Sequence, residues 1–148
     1  MRQILSMVKA KSLTPIQQLN LLKHDFPDST GCAKQGHMIW RQEIQPSSLS
    51  GKYKLRIEYR QGKSPKSFID YPKPLKLAQG ANRLPHTYDY DNGKQQLCLC
   101  LPCEWEASMK ISETIVHWAT QWMYYYELWA STGKWYGGGH GNWDVSKE

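Results

Sequence analysis

The chain has no long apolar run, and nothing in it approaches the roughly 18 consecutive apolar residues that cross a bilayer. Its opening segment, Met1 to Lys11, lacks the apolar core of a secretory signal. It has no run of five or more like charges, which excludes a basic tail that grips nucleic acid. Phenylalanine is scarce, with two Phe against seven Trp and nine Tyr. Such a balance favours surfaces in which a large apolar ring keeps a polar edge. There are only four cysteines: Cys32 stands by itself, while Cys98, Cys100 and Cys103 form a cluster. With no secretory signal, a cytoplasmic setting with reduced thiols is expected, where clustered Cys points to catalysis or metal before disulfides.

What is present fits one folded domain over residues 1–148, ending in a Gly/Trp-rich tail at 133–148. Charged residues make up 22% and apolar ones 40%, the balance of a globular chain. The net charge is +6, and the cations are spread along the sequence with a modest concentration between Lys52 and Lys76. A basic, aromatic chain of this kind still permits nucleic-acid binding by phosphate neutralisation and base stacking.

Ser12 or Thr14, Pro15 and the spacing of Ile16, Leu19, Leu22 and Phe26 predict a helix, closed by the stretch from Pro27 to Gly31. A meander of three strands should follow, over His37–Gln45, Lys52–Arg60 and Ser67–Asp70. The second is the clearest, because Tyr53, Leu55, Ile57 and Tyr59 alternate with Lys54, Arg56 and Glu58. Pro72 and Pro74 forbid ladder bonding and force an extended exit. From Lys76 to Gln95 the residues favour irregular backbone, and a loop of that length is usually functional or disordered. Leu97 to Leu101 reads as extended, with the leucines on one side and Cys98 and Cys100 on the other. A long helix should begin between Ser108 and Ser112, end near Ser131, and stop at Gly133. The fold class is α+β.

Three readings compete for the cysteine cluster. A thiol at the mouth of a loop suits acyl transfer, since thiolates attack readily and thioesters pass their acyl group to amines. Buried small hydrophobes are the plain alternative. Cys100-x-x-Cys103 also has metal-ligand spacing, with His86 or His117 able to complete a zinc site, although a second matching pair is missing. His86, after Pro85 in the polar loop, could orient that loop or donate a hydrogen bond, or simply lie in solvent. Gly137-Gly138-Gly139-His140-Gly141 lacks the strand–helix context of a phosphate loop. Trp118, Trp122, Tyr124, Tyr125, Tyr126 and Trp129 could form a stacking platform, but helical spacing assigns most of them to the core.

The order of many positions is more specific than any one of these motifs. Trp40 with Pro46 and Ser47, the strand of Tyr53, Leu55, Ile57 and Tyr59, Pro72 and Pro74, and Pro85-His86-x-Tyr88 come first. Leu97-Cys98-Leu99, Glu104-Trp105, and the run of Trp118, Trp122, Tyr125, Tyr126, Glu127, Trp129, Gly133 and Trp135 follow. Together, from about Leu13 to Gly139, they resemble the bacterial ubiquitin-conjugating-enzyme-like proteins of anti-phage operons with cyclic-oligonucleotide signalling (CBASS). The resemblance implies the ubiquitin-conjugating-enzyme (UBC-like) fold: an N-terminal helix, an antiparallel strand meander, a long active-site loop and a long C-terminal helix. In the wider family a His-Pro-Asn turn precedes a catalytic Cys followed by Leu, with a Trp several residues later. Cys98-Leu99 and Trp105 match that pattern and make Cys98 the implied nucleophile over Cys100 and Cys103, with His86 as the His of the turn.

This sequence departs from the pattern at Thr87 and Tyr88, which replace Pro and Asn. The Asn's oxyanion role has no assigned residue in this sequence: Asp89, Asp91 or Asn92 could contribute geometrically, but a carboxylate would repel an oxyanion and only Asn92 is an uncharged amide. The implied activity is a thioester-forming acyl transfer. Cys98 would take the C-terminal tail of a cyclic GMP-AMP synthase-like nucleotidyltransferase and pass it to an amine, priming that enzyme for defence. No metal or organic cofactor is implied, nor nucleic acid or membrane. A chain of this length carries no adenylation domain, so activation would need a separate activating enzyme or be dispensed with. Two other expectations stand beside it: a non-catalytic partner-binding module of the same fold, and the basic aromatic nucleic-acid binder.

Overall fold

The computed structural model describes residues 11–88, 93–99 and 104–137. Helix α1 spans Pro15–Asp25. Thr14 starts it with a capping box: the Gln17 amide donates to Thr14 Oγ1 at 3.3 Å and the Thr14 amide donates to Gln17 Oε1 at 2.9 Å. Pro15 occupies the first turn, where no intrahelical donor is needed. The buried face differs from the expected one. Ile16 lies outward at 50% exposed, while Gln18 is fully buried beside Leu19 and Leu22. Gln18 earns that place by serving two main-chain groups at once. Its Nε2 donates to the Met109 carbonyl at 2.8 Å, and its Oε1 accepts from the Ile111 amide at 2.9 Å.

Five antiparallel strands lie side by side in chain order: β1 Thr30–Lys34, β2 His37–Ile44, β3 Tyr53–Arg60, β4 Lys66–Tyr71 and β5 Gln96–Leu97. The meander is thus two strands larger than the sequence pattern predicts. β1 escapes that pattern because Thr30-Gly31-Cys32-Ala33-Lys34 has no apolar alternation; it is an edge strand that registers against β2, Cys32 opposite Ile39. Gly31 lets α1 settle on this edge. A Cβ there would lie 2.8 Å from both the Ile39 carbonyl oxygen and the Leu19 side chain.

β3 supplies the middle of the core as its alternation requires. Tyr53, Leu55, Ile57 and Tyr59 are buried, and Ile57 registers opposite Trp40 on β2 and Ser67 on β4. They join Leu19 and Leu22 of α1 and the buried stripe of the last helix in one cluster. Each such large side chain contributes about 1.5–3 kcal/mol on leaving water. On the opposite face of β3, the Arg56 guanidinium lies over the Phe68 ring at 4.2 Å and is paired with Asp70 and Glu58. Arginine there covers an apolar ring with its own plane.

Helix α2 spans Ile115–Thr132 and stops at Gly133, whose φ of +80° is the left-handed cap that glycine adopts freely. It begins later than the sequence pattern predicts. The Ile111 amide is taken by Gln18, and Trp105 Nε1 donates to Thr114 Oγ1 at 3.2 Å. These bonds hold residues 107–114 in turns before the helix starts. No helix among the described residues is long and apolar enough to cross a membrane.

Candidate functional site

The site is built on residues 76–88 and 93–95, which form no helix or named strand, and three polar anchors hold them. At their start, the Tyr126 hydroxyl donates to the Lys76 carbonyl at 2.6 Å. In their middle, Trp122 Nε1 donates to the His86 carbonyl at 3.1 Å. Trp122 and Tyr126 are one helical turn apart on α2, with rings stacked at 5.8 Å and only 4° from parallel. Each ring is buried in the core while its polar tip reaches the segment. At the far end, Gln95 folds its side chain inward. Its Oε1 accepts from the Leu75 amide at 2.6 Å, and its Nε2 donates to the carbonyls of Ile69 at 2.8 Å and Pro72 at 3.0 Å.

Inside that frame, residues 86–88 run antiparallel to 96–98. The Tyr88 amide donates to the Gln96 carbonyl at 3.0 Å, Thr87 bridges Leu97, and the Cys98 amide donates to the His86 carbonyl at 2.9 Å. One carbonyl oxygen therefore takes two donors: the main chain of Cys98 and the indole of Trp122. A carbonyl has two lone pairs, so both bonds are accommodated. His86 has a φ of +48°, a conformation that costs a non-glycine residue about 1–3 kcal/mol and persists only where the surroundings hold it. Pro85 before it is fully buried.

His86 is itself buried, at 6% exposed, which overturns the solvent-facing reading of this loop histidine. Its ring lies 4.9 Å from that of Trp135, tilted by 33°. Trp135 follows the Gly133 cap and also meets Trp122 at 5.7 Å and Tyr125 at 6.1 Å. Cys98 is a free, half-buried thiol at the exit of β5, and Leu99 after it lines a groove of about 300 Å³. Glu104, Trp118, Gln121, Trp122, Tyr125 and Trp135 form the other walls of this groove. Trp105 is buried edge-on against Tyr59 at 5.5 Å.

The structure thus brings His86, Cys98, Trp122 and Trp135 together. It leaves His117 exposed on α2 and Cys32 exposed on the edge strand. Cys100, Cys103, Asp89, Asp91, Asn92, His140 and residues 138–148 lie outside the described residues. No group of three or more His, Cys, Asp or Glu able to hold a metal exists among the described residues. The aromatic run of α2 divides: Trp122, Tyr126 and Trp129 are core, whereas Trp118 and Tyr125 are half-buried and Tyr124 is exposed. Gln95 was missed by pattern reading, since nothing in a polar loop marks which glutamine turns inward. Helical spacing assigns Trp122 to the core, and its second role is signalled only by an indole N–H that a buried Trp usually satisfies, although Trp40 Nε1 has no partner among the described residues.

No curated protein matches this chain. A family model described as Type II CBASS E2 protein matches residues 18–142. That interval runs from the buried Gln18 of α1 through the sheet and the Cys98 turn to beyond Trp135. The chain belongs to the Type II CBASS E2 protein family.

Proposed function

We propose that this protein is a thioester-forming acyltransferase of ubiquitin-conjugating-enzyme fold, with Cys98 as its nucleophile. Its donor is the C-terminal tail of a cyclic GMP-AMP synthase-like nucleotidyltransferase. The observation that carries this reading is the position of Cys98. Its amide is fixed to the His86 carbonyl, the residue is half-buried, and Leu99 next to it lines a largely aromatic groove of about 300 Å³. Fixing the nucleophile's main chain while leaving the sulfur reachable supplies the orientation that acyl transfer needs.

The tail's carboxyl must arrive activated, as an acyl adenylate or a thioester from a separate activating enzyme. Cys98 gives up its thiol proton and the thiolate attacks the acyl carbon. A C–S bond forms, and the C–O bond to AMP or the C–S bond to the previous thiol breaks. An amine then attacks the new thioester, forming the isopeptide C–N bond and releasing the Cys98 thiolate. In this scheme His86 shapes the turn and does not touch the acyl group.

Co-expression with a cyclic GMP-AMP synthase-like nucleotidyltransferase, followed by non-reducing mass spectrometry, tests this. A reducible adduct is expected in the wild type, in Cys100→Ala and in Cys103→Ala, and none in Cys98→Ala. An adduct that survives Cys98→Ala and vanishes in Cys100→Ala would move the nucleophile. A stable complex with no adduct in any variant would make the protein a docking module.

A further inference from the structure

We infer that Trp122 and Trp135 are positioning residues for Cys98, acting through His86 and not only as walls of the groove; this rests on the proposed role of Cys98. The His86 carbonyl is the junction. It accepts from the Cys98 amide at 2.9 Å and from Trp122 Nε1 at 3.1 Å. His86 has a φ of +48° in buried surroundings, where the two bonds to its carbonyl help to hold that conformation. Trp135 closes the arrangement from the other side. Its ring covers the imidazole at 4.9 Å and rests on Trp122 at 5.7 Å.

The segment that carries Trp135 is held in turn. Gly137 packs so tightly on Tyr125 that a Cβ there would fall 2.7 Å from the ring. The helix cap at Gly133 and the close approach at Gly137 therefore fix where Trp135 lies. The nucleophile's main chain is thus tied to α2 and to the turn after it by one shared acceptor and one ring stack. Losing either contact frees the 86–98 pairing to shift without opening the core. Small displacements of a reacting group cost rate steeply.

The two roles of these indoles separate in the kinetics. A groove wall contributes to binding the tail, so its loss raises KM with the rate of the step unchanged. A positioning residue lowers the rate of the step with KM unchanged. Trp122→Phe keeps an aromatic ring in the core and removes the N–H donor together with the pyrrole edge of the indole, so the protection of the β3 core is followed beside the rate. Its thioester formation should be about tenfold slower, the size of one lost hydrogen bond, with KM within twofold. Trp135→Ala should slow the step alike and, as a wall of the groove is lost with it, raise KM as well, and Trp135→Phe, which keeps a ring over His86, should recover most of the rate. Trp118→Ala, in the groove but not among the ring contacts of His86, should raise KM instead.

A second readout needs no partner. Hydrogen exchange of the Cys98 amide should be about tenfold faster in Trp122→Phe, while the amides of Leu55 and Ile57 in β3 keep their protection. A rise in KM with no change in rate, or Cys98 exchange equal to wild type, overturns the inference. If the wild type forms no adduct at all, the acyltransferase reading fails, and the exchange measurement still decides whether the indole holds the turn.

Discussion

His86 and Gln95 lie in the same irregular segment, are both buried, and both have left-handed backbone at φ +48° and +57°. They are held in opposite ways. Gln95 uses its side chain, which bonds the main chain of Ile69, Pro72 and Leu75 and so fastens the segment to the exit of β4. His86 uses its main-chain carbonyl, which receives Cys98 and the indole of α2, while its ring meets Trp135. A side-chain clamp on main-chain groups is a folding device, because losing it strands several buried donors and acceptors. A main-chain junction beside a thiol survives most substitutions of its own residue and mainly sets where that thiol stands.

The largest effect should come from breaking the first device. Gln95→Ala leaves the Leu75 amide and the carbonyls of Ile69 and Pro72 without the partner they have now. We expect a loss of about 3 kcal/mol after partial entry of water, and a melting temperature lower by roughly 10 °C for a chain of this size. Thermal unfolding followed by circular dichroism measures it. Adduct formation per folded molecule should stay within a few-fold of wild type. A milder loss would mean that water already serves these groups as well as glutamine does.

His86→Gly is the matching test of the second device, and it should cost much less stability. Glycine adopts a φ of +48° without strain, which offsets the lost contact with Trp135. We expect a change of less than about 1 kcal/mol in urea unfolding, with thioester formation about tenfold slower as the ring stack is lost. If His86→Gly destabilises as much as Gln95→Ala, the distinction between the two anchors fails.

This division explains what could be read from the sequence. β3 was legible because alternation between Tyr53 and Tyr59 is a period-two signal that tertiary context did not override. The Thr14 cap, Pro15 and the stop at Gly133 were legible because each is local chemistry. β1 was not, since Thr30–Lys34 pairs without an apolar face and its reason to be a strand lies in β2. The late start of α2 depends on Gln18, far away along the chain, and spacing cannot show that. At the site, the adjacency of His86 and Cys98 rested on resemblance, whereas the burial of His86 and its junction carbonyl are products of packing. Thr87 and Tyr88, the two departures from the family turn, form rungs with Leu97 and Gln96. Their main chains thus act in the pairing that sets the Cys98 amide.

The smallest effect concerns the third anchor, Tyr126, and it carries a pH signature. Burial first, and the Glu127 carboxylate second, push the Tyr126 hydroxyl from 10.0 up to about 12. Tyr53 is raised as well, by burial and by its bond to Glu127 at 2.6 Å. A raised phenol stays neutral in the folded state while its unfolded counterpart ionises. The stability it contributes is fully present below pH 10 and is lost as pH rises from there toward 12. Tyr126→Phe removes one hydrogen bond to Lys76, so near pH 8 it should cost about 1 kcal/mol. Above pH 10 the variant has one fewer phenol to keep protonated, and its stability should fall less steeply than that of the wild type. The gap between the two proteins should therefore narrow between pH 8 and pH 11 in paired urea titrations. A gap of constant size would show that Tyr126 titrates in the folded protein as it does unfolded. The Lys76 anchor would then be open to water, unlike the indole bond at His86.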